Sequence, residues 1–190
     1  MSDLFTSDLH FSHANIQIYC PGRPQGSIED HNAVLVDNWN GAVRPNDTVW
    51  VLGDVALGKL ADSLALVALL NGTKHLLAGN HDRCWSGHKK VGDWPQRYLD
   101  AGFASITEEA EYTFDDGLVV DMCHFPYQGD SQDEDRYAHR RPTNRGRFLL
   151  HGHVHDAWQR NGRQINVGVD VWDYTPVRAE TLRELIRTAS

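Results

Sequence analysis

The sequence predicts an α/β fold in which helices flank a mixed sheet or two packed sheets. Three observations carry that prediction. Three strand-like runs alternate with two helical stretches within residues 1–82 and a third helix follows, which favours a buried sheet covered by helices. After residue 102 the pattern changes to short strands joined by tight turns, the mark of locally antiparallel pairing. A length of 190 residues suits one domain, 1–190, large enough to bury roughly 70% of its unfolded surface in a single core.

Each element has its own reason. LFTSD is a short strand that stops at Asp8, and SIEDHNAVLVDNWN (27–40) is a helix with Ser27 as N-cap and acids in its first turn. TVWVLGD (48–54) is a strand ending at Gly53-Asp54, LADSLALVALL (60–70) a helix closed by Asn71-Gly72, and KHLLAGNHD (74–82) a strand ending at Gly79-Asn80. A helix follows in DWPQRYLDAG (93–102). AEYTF and LVVDMCH are then joined by Asp115-Asp116-Gly117, a hairpin signal. RFLLHGHVH (147–155) and the pair around Asn161-Gly162 add strands, and ETLRELIRT (180–188) is the last helix. No repeat or low-complexity tract interrupts the pattern.

Composition narrows the function classes. With 41% hydrophobic and 23% charged residues the chain is of ordinary globular type, and a formal charge of −8 argues against a surface built for nonspecific nucleic-acid or membrane binding. No stretch approaches bilayer-spanning length and MSDLFTSDLH enters a strand pattern at once, so a cytoplasmic protein is expected. Cys20, Cys84 and Cys123 lack any C-x-x-C spacing, which disfavours a disulfide framework or a cysteine zinc site; Cys123, in an apolar run, is expected in the core.

The polar residues gather at strand ends. Asp8-x-His10, Gly53-Asp54, Gly79-Asn80-His81-Asp82, His124 and Gly152-His153-x-His155 each fall where a strand gives way to a loop, the usual location of sites in open sheets. Histidines two apart in an extended segment point the same way and can converge on one object. Two carboxylates, an amide oxygen and several imidazoles form an O/N ligand set suited to Mn²⁺, Fe or Zn²⁺. Gly53, Gly79 and Gly152 allow the close backbone approach that crowding around an ion requires. Any one fragment is weak evidence, and their ordered recurrence is strong evidence.

Taken in order, the blocks D-x-H, G-D, G-N-H-[DE], H and G-H-x-H from Asp8 to His155 resemble the calcineurin-like metallophosphoesterase family, in particular its short bacterial and phage-type members. The resemblance implies a β-sandwich of mixed sheets flanked by helices and two divalent ions, Mn²⁺ foremost, with Fe, Zn²⁺ or Ni²⁺ as alternatives. It implies one ion held by Asp8, His10 and His155, the other by Asn80, His124 and His153, with Asp54 bridging. His81 is then a non-ligating acid near the leaving group, oriented by Asp82. Two cations about 3.5–4 Å apart bind phosphoryl oxygens and lower the pKa of a bridging water, which attacks phosphorus. His151 is left over and reads as a supporting or sheet-packing imidazole.

Substrate is less legible. Phe11 stands where the family often has Gly. His13 and Asn15 just beyond it are candidates for contacting phosphate, although loop capping by Asn15 and an exposed His13 fit equally well. The loop PYQGDSQDEDRYAHRRPTNRGR (126–147) joins an acidic cluster to Arg136, Arg140, Arg141, Arg145 and Arg147. Arg140 and Arg141 are its candidate substrate-binding residues; the alternative is a solvated loop whose arginines pair with Asp133, Glu134 and Asp135. Trp158, Trp172 and Tyr174 either stack on a base or belong to the core. The leading expectation is a phosphodiesterase acting on nucleotide or nucleic-acid-like phosphodiesters, with a phosphomonoesterase or protein phosphatase as the competitor and a non-catalytic scaffold of the same fold as the remaining reading. Oligomeric state is open, a homodimer included.

Overall fold

The computed structural model describes residues 1–132 and 136–188. Strand β1 (Asp3–Thr6) leads through a short helix α1 (Ile16–Tyr19) to α2 (Ile28–Ala42), and β2 (Thr48–Val51), α3 (Leu60–Ala65) and β3 (Thr73–Leu77) follow. Next come α4 (Trp94–Asp100), β4 (Phe103–Thr107), the hairpin strands β5 (Glu109–Thr113) and β6 (Val119–Cys123), β7 (Leu149–His151), β8 (Arg160–Asn161), β9 (Gln164–Asn166), β10 (Val177–Arg178) and α5 (Ala179–Arg187). Among the described residues these strands form two five-stranded sheets, ordered β10-β1-β2-β3-β4 and β5-β6-β7-β9-β8. Both are mixed. β1 to β4 run parallel with β10 antiparallel at the edge, and β6, β7 and β9 run parallel between antiparallel β5 and β8.

Strand periodicity divides the core into two layers. Leu4, Val49, Val51 and Leu76 point to the helical side, where Leu35, Trp39, Leu64 and Tyr98 meet them. Their neighbours Phe5, Leu52 and Leu77 point the other way and pack against Val120, Met122, Leu150 and Ile165 of the second sheet, with Leu182 and Ile186 of α5 closing that layer. Each such side chain contributes about 1.5–3 kcal/mol on burial. Helix α2 begins as the sequence indicates, with Ser27 and Asp30 in a reciprocal capping box, and buries His31, Asn32, Leu35 and Trp39 along one face.

The departures from the sequence reading are local. The expected helix over 60–70 is α-helical only to Ala65 and tightens into a 3₁₀ turn over Leu66–Leu69, where Asn40 accepts the Asn71 N–H at 2.8 Å and Lys74 Nζ caps the Leu70 carbonyl. Helix α1 and strands β4 and β10 were not foreseen; α1 and β10 are too short to carry a periodic pattern. Cys123 is buried in the core. No helix among the described residues is long and apolar enough to cross a membrane.

Candidate metal centre

Parallel pairing brings the strand ends together. Thr6 of β1 pairs with Val51 of β2, which pairs with Leu76 of β3, so Asp8, Asp54 and Asn80 emerge side by side. From the other sheet, β6 and β7 deliver His124 and the segment from His151 to His155, and the Gly152 N–H donates to the His124 carbonyl at 3.0 Å. Asp8, His10, Asp54, Asn80, His81, His124, His153 and His155 are thereby gathered at one end of the sandwich. Six of these eight border open space: a cleft of about 480 Å³ is lined by His10, Asp54, Asn80, His81, His153 and His155, together with His13, Tyr19 and Arg136.

Asp54 sits at the middle. Its Oδ2 lies 3.5 Å from His124 Nε2, 3.7 Å from His10 Nε2 and 4.0 Å from His81 Nε2, while Oδ1 accepts the His81 N–H at 2.9 Å. Asp8 Oδ1 lies 3.9 Å from His10 Nε2 and 3.7 Å from His155 Nε2, and the Asp8 carboxylate accepts the His153 N–H. His124 Nε2 is 3.2 Å from Asn80 Oδ1. Two overlapping groups, Asp8 with His10 and His155 and Asp8 with Asp54 and His124, each bring their donor atoms within 4.8 Å of one another.

Three imidazoles direct Nε2 inward because Nδ1 is engaged elsewhere. Nδ1 of His124 is 2.7 Å from the Leu52 carbonyl, that of His10 is 3.3 Å from His13 Nδ1, and that of His155 is 3.2 Å from Cys20 Sγ. Burial pushes His124 and His155 down to about 4 and His10 well below the usual imidazole range, so all three are neutral and carry lone pairs at neutral pH. Burial and the neighbouring Asp54 push the Asp8 carboxyl up; in Asp54 burial acts in the same sense, but the imidazoles of His124 and His81 outweigh it and hold the group down. Neutral imidazoles, an amide oxygen and two adjacent buried carboxylates fit divalent cations of borderline or hard character.

The backbone is bent to make this possible. Asp8, His10, Asp54, His153 and His155 all have φ between 48° and 73°, a left-handed conformation uncommon for non-glycine residues. Long-range bonds hold it. The Asp8 N–H donates to Gly53 O and the His10 N–H to Asp54 O. Arg23, fully buried, donates to the Asp8 carbonyl at 2.7 Å and the Leu9 carbonyl at 3.1 Å, and its Nε and Nη2 clamp Asp170 at 2.7 and 2.6 Å. Asn166 donates to the His155 carbonyl at 2.7 Å. Neither Arg23, Asp170 nor Asn166 stands out in the sequence, because none belongs to a motif and their partners are distant in the chain.

Several expected roles need correction. Asp82, expected to orient His81, is fully buried and accepts the backbone N–H groups of Asp54, Val55 and Gly79 at 2.8, 3.0 and 2.9 Å; it pins the loops that carry Asp54 and Asn80. Burial, then Asp54, pushes its carboxyl up to about 7. His13 lines the cleft, but Asn15 is exposed at the start of α1 and makes no capping bond. Arg140 lies over the Trp85 ring at 5.1 Å, and Arg141 donates to the Gly129 carbonyl and borders a separate depression with Glu109 and Asp121. An aromatic cluster of Trp85, Phe125 and Tyr137 draws this part of the loop away from the cleft, and Arg136 is the arginine that lines it. Asp133, Glu134 and Asp135 lie outside the described residues. His151 is buried against Trp158 with Nδ1 2.7 Å from the Gly152 carbonyl, a packing position. Trp172 donates to the Asn166 carbonyl and Tyr174 packs on the core, so the exposed cleft aromatic is Tyr19.

Close approach explains two glycines. A Cβ on Gly79 would collide with Asp54 Oδ1, and one on Gly152 would collide with Ser7 Oγ and lie 2.5 Å from Asp8 Oδ2. Gly152→Ala is therefore expected to cost about 1–3 kcal/mol through overpacking. Displacement of Asp8 should also lower metal content, measurable by thermal unfolding and elemental analysis of the same preparation.

Comparison with known proteins identifies relatives over most of the chain. The pattern of calcineurin-like phosphoesterases matches residues 1–157. The chain is 36% identical to the Gene 66 protein of Mycobacterium phage D29, covering 96% of this chain and 94% of that protein. It is 32% identical to uncharacterized protein MJ1445 of Methanocaldococcus jannaschii, covering 95% and 88%. Among solved structures, the protein of unknown function AQ665 from Aquifex aeolicus superposes with a TM-score of 0.74 at 26% identity, covering 97% of this chain and 98% of that one.

Proposed function

Because this chain belongs to the calcineurin-like phosphoesterase family, we propose that it hydrolyses phosphoester bonds with two divalent ions in the cleft, and that nucleotide-like phosphodiesters are its substrates. The observation that carries the reading is the position of Asp54, whose Oδ2 has imidazole Nε2 atoms of His10 and His124 at 3.7 and 3.5 Å, as a carboxylate shared between two ions requires. Asp8, His10 and His155 would hold one ion, and Asn80, His124 and His153 the other. Mn²⁺, Fe and Zn²⁺ all suit this oxygen and nitrogen set, and Mn²⁺ is the first ion to test. When bound, such a pair supplies Lewis-acid stabilisation of phosphoryl charge and a nucleophilic water of lowered pKa.

The remaining work falls to the cleft walls. Arg136 offers a guanidinium to a phosphate oxygen of either ester class, and the exposed Tyr19 ring offers a face on which a base can stack, which supports the nucleotide-like reading. His81, at the cleft with its side chain 41% exposed, can give a proton to the departing alkoxide.

His81→Ala tests that role. It is expected to retain both ions while losing about 10²–10⁴ in rate on an alkyl phosphodiester, and far less on a nitrophenyl ester whose leaving group needs no proton. Equal losses on both esters would give His81 a positioning role instead. The same assay run with matched monoesters tests substrate class, and a uniformly higher kcat/KM on monoesters would overturn the diester reading.

A further inference from the structure

Asp130 of the 126–147 loop contacts a residue of the proposed metal centre directly. Asp130 Oδ2 lies 3.2 Å from His153 Nε2, and both side chains are buried, 1% and 3% exposed. Arg136 fixes the carboxylate from the other side: its Nη2 donates to Oδ1 at 2.9 Å and its backbone N–H to Oδ2 at 3.2 Å. Asp130 belongs to none of the sequence blocks that identify the family.

The contact has a chemical consequence. An imidazole has two nitrogens, and His10, His124 and His155 turn Nε2 toward the carboxylates of the centre because Nδ1 is occupied. His153 is reversed: its Nε2 faces Asp130, which leaves Nδ1 as the lone pair for an ion. A carboxylate behind a ligating imidazole fixes the tautomer and ring orientation and raises ligand basicity. We infer that Asp130 is a positioning residue for this centre, accepting the Nε2 proton of His153 and so presenting Nδ1 to the second ion. The two donors from Arg136 hold the Asp130 carboxylate in place with Oδ2 turned to the ring. The loop that carries the cleft arginine is thereby tied to the metal ligands through Arg136, Asp130 and His153.

This inference rests on the two-ion reading above, and the experiment separates the two. Wild-type protein, Asp130→Ala and Asp130→Asn are stripped with chelator and titrated with Mn²⁺ by calorimetry, with unfolding of the metal-free proteins followed in parallel. Wild type should bind two ions. Asp130→Ala should keep one site near its wild-type affinity and weaken the other about 10–100-fold, with metal-free stability little changed. Asp130→Asn, whose amide oxygen still accepts from Nε2, should recover most of that loss. Asp130→Ser, too short to reach the ring, carries the same expectation as alanine and covers a failure of that variant to fold. Wild-type affinities in Asp130→Ala, equal weakening of both sites, or asparagine as weak as alanine would each overturn the positioning role. A wild type that binds no Mn²⁺ would overturn the two-ion reading and the inference together.

Discussion

Asp54→Asn is expected to abolish most activity, on the order of 10³-fold in kcat/KM, equivalent to about 4 kcal/mol of lost transition-state stabilisation. The Asp54 carboxylate stands between the two halves of the centre, with Oδ2 near His10 on one side and His124 on the other. An amide keeps the shape and removes the charge that offsets repulsion between two cations, so both ions should weaken together. In the metal-free protein the same change removes a carboxylate whose charged form burial disfavours but His124 and His81 favour, so unfolding followed without metal separates lost fold stability from lost metal binding. Stabilisation by Mn²⁺, about 2.7 kcal/mol at a hundredfold excess over Kd, should be largely lost. Two fully occupied sites with normal turnover would refute the bridging assignment.

Arg23→Met should cause the largest loss of stability. It leaves the Asp170 carboxylate, 1% exposed, without its partner, and strips the donors from the Asp8 and Leu9 carbonyls. Breaking a buried pair from one side costs about 3–5 kcal/mol. In a chain of this length that lowers Tm by roughly 10 °C. Arg23→Met/Asp170→Leu should recover part of the loss, because the orphaned charge is gone as well. A single variant as stable as wild type would mean that the ligand loop holds its shape without the arginine.

The contrast between these residues explains what could be read in advance. Asp54 follows a β-branched run and a glycine, so chain-local pattern marks it, and the same holds for Asp8, Asn80, His124, His153 and His155. The two layers of the core follow from alternation in TVWVL and KHLLA, and α2 from its cap. Arg23 and Asp170, 147 residues apart, meet only through the tertiary fold, and no spacing announces them. Asp130 lies in a polar loop where one acid among several contacts a ligand. Asp82 was legible as part of a motif but not in its task, because bonds to the N–H groups of Asp54 and Val55 depend on how two loops dock. The arginines misled for the opposite reason: charge density drew attention to Arg140 and Arg141, whereas aromatic packing under the loop decides which guanidinium reaches the cleft.

The left-handed backbone at five of the proposed ligand positions sets a trade-off between activity and stability in the metal-free chain. Each such residue carries an energetic penalty of roughly 1–2 kcal/mol that glycine would not. Replacing His153 or His155 by glycine therefore removes a ligand and relieves strain in one step. Drift toward an inactive fold thus runs downhill in stability. On the two-ion reading proposed above, bound ions would offset that strain, so depletion of metal should loosen the ends of both sheets before it affects their hydrophobic layers.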